Sequence, residues 1–304
     1  DENMSSLFRI ETIAQVHDWL KLGEPDHPLI SIFQHNEEMQ DDFKDINFVT
    51  ELYMVSYKKN ICGSFNYGRQ SYDFQQGTLI FTAPEQIISA VETEFQSDSE
   101  GWTIMFHPDL IRPFELAKQI NSYTFFSYEI NEALHVSDNE RAALFELVGR
   151  IKGEMQQNID KHSHRLIAST LGLILDYCAR FFDRQFFTRG HENQNTVVKF
   201  EALLNGYYQQ QHHLENGIPT VAYCGKELGI SPNYLSDLLK KETGKSAIEH
   251  IHGHILEKAK TALLHDKKAI GQLAYDLGFD YPSHFSKLFK NLTGESPNSY
   301  RKSH

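Results

Sequence analysis

Residues 221–244 and 270–294 carry the same apolar pattern twice, and that repetition constrains the fold more than any other feature of the chain. Val221, Cys224, Gly225 and Leu228 align with Ile270, Leu273, Ala274 and Leu277, each set spaced i, i+3, i+4, i+7. That spacing puts four residues on one face of a short helix. A very small residue stands third in both copies, as close passage of another segment requires. Gly229 and Gly278 follow, suited to the left-handed residue that ends a helix. Ser231-Pro232 then opens a second helix in the first copy, and Asp280 or Tyr281 before Pro282 opens it in the second. The inner faces of these second helices are Leu235, Leu238, Leu239 and Phe285, Leu288, Phe289. Both copies end at Thr-Gly, Thr243-Gly244 and Thr293-Gly294, and the second copy has one extra residue in its turn.

Helix, tight turn, helix is the helix-turn-helix arrangement, here in tandem. Between the copies, Ser246 and Glu249 form a capping box, and Ile248, Ile251, Ile255, Ala259 and Leu263 make one helical face. A helix of twenty residues spans about 30 Å, close to the roughly 34 Å between major-groove turns on one side of DNA. Gly253 inside that helix costs about 1 kcal/mol. Charge fits the same division. The chain has 29 Lys+Arg against 41 Asp+Glu, yet residues 218–304 hold 12 against 9, or +3, which leaves 17 against 32, or −15, for the rest. Phosphate attracts the first part and repels the second.

The stretches "GISPNYLSDLLKKETGKS" and "LAYDLGFDYPSHFSKLFKNLTGESPNSYRK" resemble the C-terminal DNA-binding domain of AraC/XylS-type transcription regulators over about 220–302. The resemblance implies that double-stranded DNA is read from the outer faces of the two recognition helices. Asn233, Ser236 and Asp237 take the base-facing positions of the first, and Ser283, His284 and Lys287 those of the second. Lys240, Lys241, Lys290, Arg301 and Lys302 suit phosphate contacts. Family members often carry Arg where this chain has Asp237. A carboxylate accepts from cytosine N4 instead of clamping guanine, or the side chain points away.

The N-terminal two-thirds reads differently. "LISIF", "FVTELYMVSY", "GSFNY", "GTLIFTAP", "IISAV" and "WTIMF" between 29 and 106 predict an antiparallel sheet or barrel. "GTLIFTAPEQIISAV" resembles the glycine-to-proline stretch of the cupin barrels that serve such regulators as sensors. That resemblance implies a small-molecule effector. Tyr53, Tyr57, Phe65, Tyr67 and Trp102 are the aromatic candidates for lining its pocket, with core packing as the plainer role. Metal-using cupins need histidines that "GSFNYGRQSYDFQQG" lacks, so no metal or other cofactor is expected.

From 139 to about 187 the periodicity is helical, and Leu171, Ile174, Leu175, Cys178, Phe181 and Phe182 form an unusually wide apolar stripe. It either packs on the barrel or pairs with a second copy, and the family resemblance favours a homodimer. The expected class is thus α+β. An antiparallel cupin-like β-barrel occupies 1–136 and dimerisation helices 137–190. A linker and connecting helix follow at 191–217, and an all-α tandem helix-turn-helix domain at 218–304.

Other chemistries find little support. "LIASTLGLILDYCARFF" is broken by Asp176 and Arg180 and is shorter than the roughly 20 residues of a membrane span. Three scattered cysteines and no basic-then-apolar leader suggest a cytoplasmic location. Gly244-Lys245-Ser246 lacks the earlier glycine of a P-loop. His250 and His254 lack an HExxH glutamate, and no GxSxG elbow occurs. The expectation is a non-enzymatic regulator that also engages RNA polymerase. The alternatives are a cupin enzyme with an appended DNA-binding module and a ligand-independent architectural protein.

Overall fold

The computed structural model describes residues 8–35, 47–63, 77–89, 93–128, 132–157, 160, 162–188, 190–265 and 267–303. The chain divides into two compact units, Asp1–Thr188 and Arg189–His304.

Unit 1 opens with β1 (Phe8–Ile10) and α1 (Ile13–Trp19), followed by β2 (Ile30–Gln34), β3 (Asn47–Thr50), β4 (Tyr53–Gly63), β5 (Thr78–Thr82), β6 (Ile87–Ser89) and β7 (Thr93–Phe106). Two short helices, α2 (Pro108–Ile111) and α3 (Leu116–Gln119), lead into 3-10 turns, and β8 (Leu134–His135) precedes α4 (Asp138–Met155) and α5 (Ser163–Thr188). The strands form two sheets, β1-β3-β6 and β2-β7-β4-β5-β8. Among the described residues neither sheet closes on itself, so the structure is α+β with two open sheets in place of the expected closed barrel. One ladder departs from the antiparallel expectation, because β1 runs parallel to β3 with Phe8 opposite Phe48.

Strand alternation gives the larger sheet two unlike faces. One is covered by helices and aromatic rings. Tyr57 lies opposite Trp102 in the ladder and stacks on it at 5.9 Å, with Phe145 of α4 edge-on at 5.3 Å. Phe81 meets Phe125 at 4.4 Å and Phe182 of α5 at 5.9 Å. The other face shares a core with the smaller sheet and α1, through Phe33, Met105, Phe48, Ile88, Ile10 and Ile13. Beyond that core this face turns polar. The Ser56 and Thr103 hydroxyls lie 2.9 Å apart, His35 Nε2 is 2.7 Å from Thr103 Oγ1, and Lys58 is 7% exposed.

Burial acts on both cations there. It lowers the His35 imidazole to about 3, with Lys58 repulsion contributing, and the Lys58 ammonium to about 7. Both folded values lie below the unfolded ones. Stability contributed by neutral His35 is full above about pH 6.5 and is lost as pH falls towards 3. For Lys58 the unfolded chain keeps its proton between about 7 and 10.5, so stability rises with pH through that window. Unit 1 is therefore expected to gain about 2 kcal/mol from pH 5 to pH 7 and to gain more by pH 9. Urea unfolding followed by tryptophan fluorescence checks this, because both tryptophans, Trp19 and Trp102, belong to unit 1. Lys58→Met should abolish the rise above pH 7, and an unchanged rise would contradict the assignment.

Local chemistry fixes the helices. Ser137 and Glu140 form a capping box at α4. Arg184 of α5 then holds Glu140 at 2.9 Å, and its guanidinium also donates to the His135 carbonyl at 2.7 Å. Buried Gln185 donates to Ala133 O and accepts from His135 N, anchoring α5 to β8.

Unit 2 is all helical: α6 (Gly190–Gln209), α7 (His212–Asn216), α8 (Val221–Leu228), α9 (Pro232–Thr243), α10 (Ala247–His265), α11 (Ile270–Asp276), α12 (Pro282–Thr293) and α13 (Pro297–Ser303). Its core joins Phe200, Leu204, Tyr207 and Tyr208 of α6 to Cys224, Leu235, Leu239, Ile251, Ile255, Leu273, Phe285 and Phe289. Phe200, Leu204, Tyr207 and Tyr208 give α6, within the expected linker and connecting helix at 191–217, its own apolar stripe. No helix among the described residues is long and apolar enough to cross a membrane.

Candidate nucleic-acid interface

The two repeats fold as two helix-turn-helix frames. In the first, Thr220 caps α8 by accepting from Tyr223 N, and Ser231 caps α9 by accepting from Tyr234 N. Gly229 ends α8 at φ +71°. Gly225 is small for a specific reason, since a Cβ there would lie 2.6 Å from Ile230 O and 3.3 Å from Pro232 N. The turn backbone crosses directly over it. In the second frame Ala274 is fully buried at the equivalent place, and Gly278 takes φ +92°. Tyr281 sits at the N-cap of α12 without a side-chain cap, so Pro282 and the inner face carry that helix start. Phe279, the counterpart of Ile230, is a buried ring 5.4 Å from Phe285, and the extra residue of this turn falls after it, between Phe279 and Pro282.

Both second helices end alike. Thr243 donates to Leu239 O and Thr293 to Phe289 O, and Gly244 and Gly294 follow at φ +80° and +85°. Ser246 and Glu249 make the expected cap at α10, where the Ser246 N–H and hydroxyl hold the Glu249 carboxyl below its ordinary range. His250 and His254 each have a neighbour of their own within this unit. His250 Nε2 is 2.7 Å from Thr243 Oγ1, while the His254 ring meets Tyr208 at 5.3 Å.

Leu235, Leu238 and Leu239 face inward on α9, as do Phe285 and Phe289 on α12. The opposite surfaces carry the sequence-derived candidates. Asn233 is exposed, with Ser236 and Asp237 half-buried at its i+3 and i+4 positions, and Lys240 and Lys241 are exposed in the last turn. Ser283, His284 and Lys287 are exposed on α12, with Lys290 in its last turn. The His284 ring lies 5.3 Å from Tyr281, an exposed aromatic beside the same surface that spacing alone did not single out.

Arg301 goes elsewhere. Its guanidinium donates to Leu263 O at 3.1 Å, in the last turn of α10, and to Lys268 O at 2.8 Å beyond it. The structure thereby gives this side chain a bracing position, whereas Lys302 is exposed. Arg301→Ala is expected to cost about 1–2 kcal/mol of unit 2 stability and to leave the salt dependence of DNA binding unchanged. Thermal unfolding and binding titrations at several salt concentrations separate the two effects.

Of the other candidates, Tyr53, Tyr57 and Trp102 lie on the helix-covered face of the larger sheet, Tyr53 stacking on Phe106 at 5.1 Å. Phe65 and Tyr67 lie outside the described residues. Side chains that sequence reasoning missed stand on the opposite face: His35, Ser56, Lys58 and Thr103. A lysine in phase with serine along Tyr53–Lys58, a stretch otherwise apolar or aromatic, was the available signal. Leu171, Ile174, Leu175, Cys178, Phe181 and Phe182 are all buried within their own unit, so the stripe is largely consumed by packing. Leu166, Leu173 and Phe187 are the exposed large apolar residues of α5.

A helix-turn-helix domain family matches residues 224–303. An HTH-type transcriptional regulator in the cgkA 5′ region of Pseudoalteromonas carrageenovora is 31% identical over 108 residues, 36% of this chain and 61% of that protein. The arabinose operon regulatory protein of Salmonella typhimurium is 29% identical over 29% of this chain and 32% of its own length. Residues 224–303 form an AraC/XylS-type helix-turn-helix domain. The C-terminal domain of AraT, a response regulator from Geobacillus stearothermophilus, is 31% identical to the chain, with a TM-score of 0.31 over 34% of this chain and 85% of that one. The chain spans less than two thirds of the length of these two curated relatives. The AraC-type domain accounts for the tandem frames, the paired Thr-Gly ends and the small residue at 225 and 274.

Proposed function

We propose that the chain is a transcription regulator that reads double-stranded DNA through α9 and α12. One observation carries this reading: the same frame is built twice, and each copy turns a polar face outward that ends in lysine. Asn233, Ser236, Asp237, Ser283, His284 and Lys287 face base edges, and Lys240, Lys241, Lys290 and Lys302 face phosphates. The acidic remainder of the chain keeps non-specific affinity for DNA low.

Unit 1 acts as the sensor in this proposal. A small molecule with polar groups enters between the sheets, and the support for this is the polar patch of His35, Ser56, Lys58 and Thr103 on the inner face. Its differential affinity for two arrangements of the chain controls DNA binding. A homodimer and contact with RNA polymerase complete the proposal. The test is selection of bound duplexes from a random pool by the full chain at physiological salt. Enrichment of a bipartite motif spanning adjacent major grooves supports the reading, and binding without any enriched sequence refutes it.

A further inference from the structure

A short segment ahead of the first helix-turn-helix touches α8, α10 and the turn of the second helix-turn-helix. At its start the Tyr207 ring lies 5.1 Å from Tyr223 of α8. Next to it, the Tyr208 ring lies 5.3 Å from His254 on α10, with Lys258 Nζ 5.1 Å from its centroid, and His213 of α7 packs on the same ring at 4.5 Å. Gly217 follows α7 at φ +72°, and the Tyr207 hydroxyl donates to its carbonyl at 3.0 Å, folding the segment back on α6. There Gly217 reaches the second helix-turn-helix. A Cβ on Gly278 would lie 3.1 Å from His213 O and 3.2 Å from Gly217 C, and one on Gly217 would lie 3.4 Å from Gly278 O.

The repeat supplies its own comparison. Gly229 holds the equivalent turn of the first copy at φ +71°, and an added Cβ there meets nothing within 4 Å. The same glycine is therefore open in one copy and packed backbone against backbone in the other. Left-handed φ explains a glycine at both positions, but only at 278 would an added Cβ also crowd neighbouring backbone.

We infer that Tyr207, Gly217 and Gly278 are positioning residues that set the separation of the two DNA sequences the chain reads. The inference rests on the reading that α9 and α12 both engage DNA. Tyr207 ties the segment to the first copy, Gly217 and Gly278 tie it to the second, and Tyr208 with His254 ties it to α10 between them. With three attachments the spacing of the copies is fixed by the α6–α7 segment as well as by the length of α10. A change at the 217–278 contact alters spacing without altering any side chain on α9 or α12.

The experiment uses the full-length chain and a duplex library in which two selected half-sites are separated by spacers of varied length. Wild type is expected to favour one spacer. Gly229→Ala places a side chain at the same unfavourable φ and should keep that spacer, with no more than a few-fold loss of affinity. Gly278→Ala should shift or broaden the spacer preference and lose tenfold or more on the wild-type spacer. Tyr207→Phe keeps the ring against Tyr223 and should flatten the preference about threefold. Wild-type spacing retained by Gly278→Ala overturns the inference. If thermal unfolding shows that this variant does not fold, Tyr207→Phe decides, and an unchanged spacer profile overturns it. A wild-type chain that selects one half-site alone, at any spacing, removes the underlying two-copy reading and the inference with it.

Discussion

Phe289→Ala is expected to cost about 3–5 kcal/mol of unit 2 stability. The Phe289 ring is 1% exposed and packs between Phe285 at 5.8 Å and Tyr300 at 5.4 Å, so it joins α12 to α13 inside the core shared with α10. Its repeat counterpart, Leu239, is fully buried between α9, α6 and α10. Truncation leaves a hole that two aromatic neighbours on rigid helices cannot fill. A domain of about a hundred residues has only about 5–15 kcal/mol in total, so the unfolding temperature of unit 2 should fall by at least 10 °C. Calorimetry of the full chain distinguishes this from unit 1, whose tryptophan-reported transition should stay in place. A shift of only two or three degrees would show that the second copy does not depend on this ring.

The second large effect concerns binding. Replacing Lys240, Lys241 and Lys290 together by alanine removes three exposed cations from the ends of α9 and α12. Each lost phosphate contact reduces the slope of log K against log salt by about 0.9, so the triple variant should lose about 2.7 from the slope. At about 0.1 M salt that corresponds to an affinity loss of two to three orders of magnitude, spread evenly over all sequences. Ser283→Ala and His284→Ala should behave differently, changing which base pairs are preferred while leaving the slope in place. Titrations against the selected site and a scrambled duplex at four salt concentrations resolve both quantities. Equal, sequence-blind losses in both sets would contradict the division into phosphate and base contacts.

How well residues announced their places depended on whether the determining contact is local. Helices α8, α9, α11 and α12 were legible because glycine ends, a proline start or an i, i+3, i+4, i+7 stripe is written within twenty residues, and the repeat supplied the check. The capping box at Ser246 was legible for the same reason. The contacts of Arg301 were not, since only the fold brings its guanidinium to the carbonyls of Leu263 and Lys268. In unit 1 the apolar strands were evident, but which face of β4 turns towards the helices was not. Tyr57 and Lys58 are neighbours in sequence and stand on opposite faces of one sheet, and registry with β7 decides which goes where. The start of the chain also held an unread signal, for Thr12 and Gln15 form a capping box at α1.

The extra residue in the second turn has a consequence for the geometry of any site the chain occupies. It lengthens the path from Phe279 to Pro282 and makes the second copy a modified version of the first, and the outward residues differ as well, Asn233 and Asp237 against Ser283 and Lys287. Two unlike readers joined head to tail cannot match a palindrome within one chain. A DNA sequence bound by both copies would therefore have polarity, with an upstream and a downstream end. Inverting it beside a gene would present the rest of the protein to the opposite side.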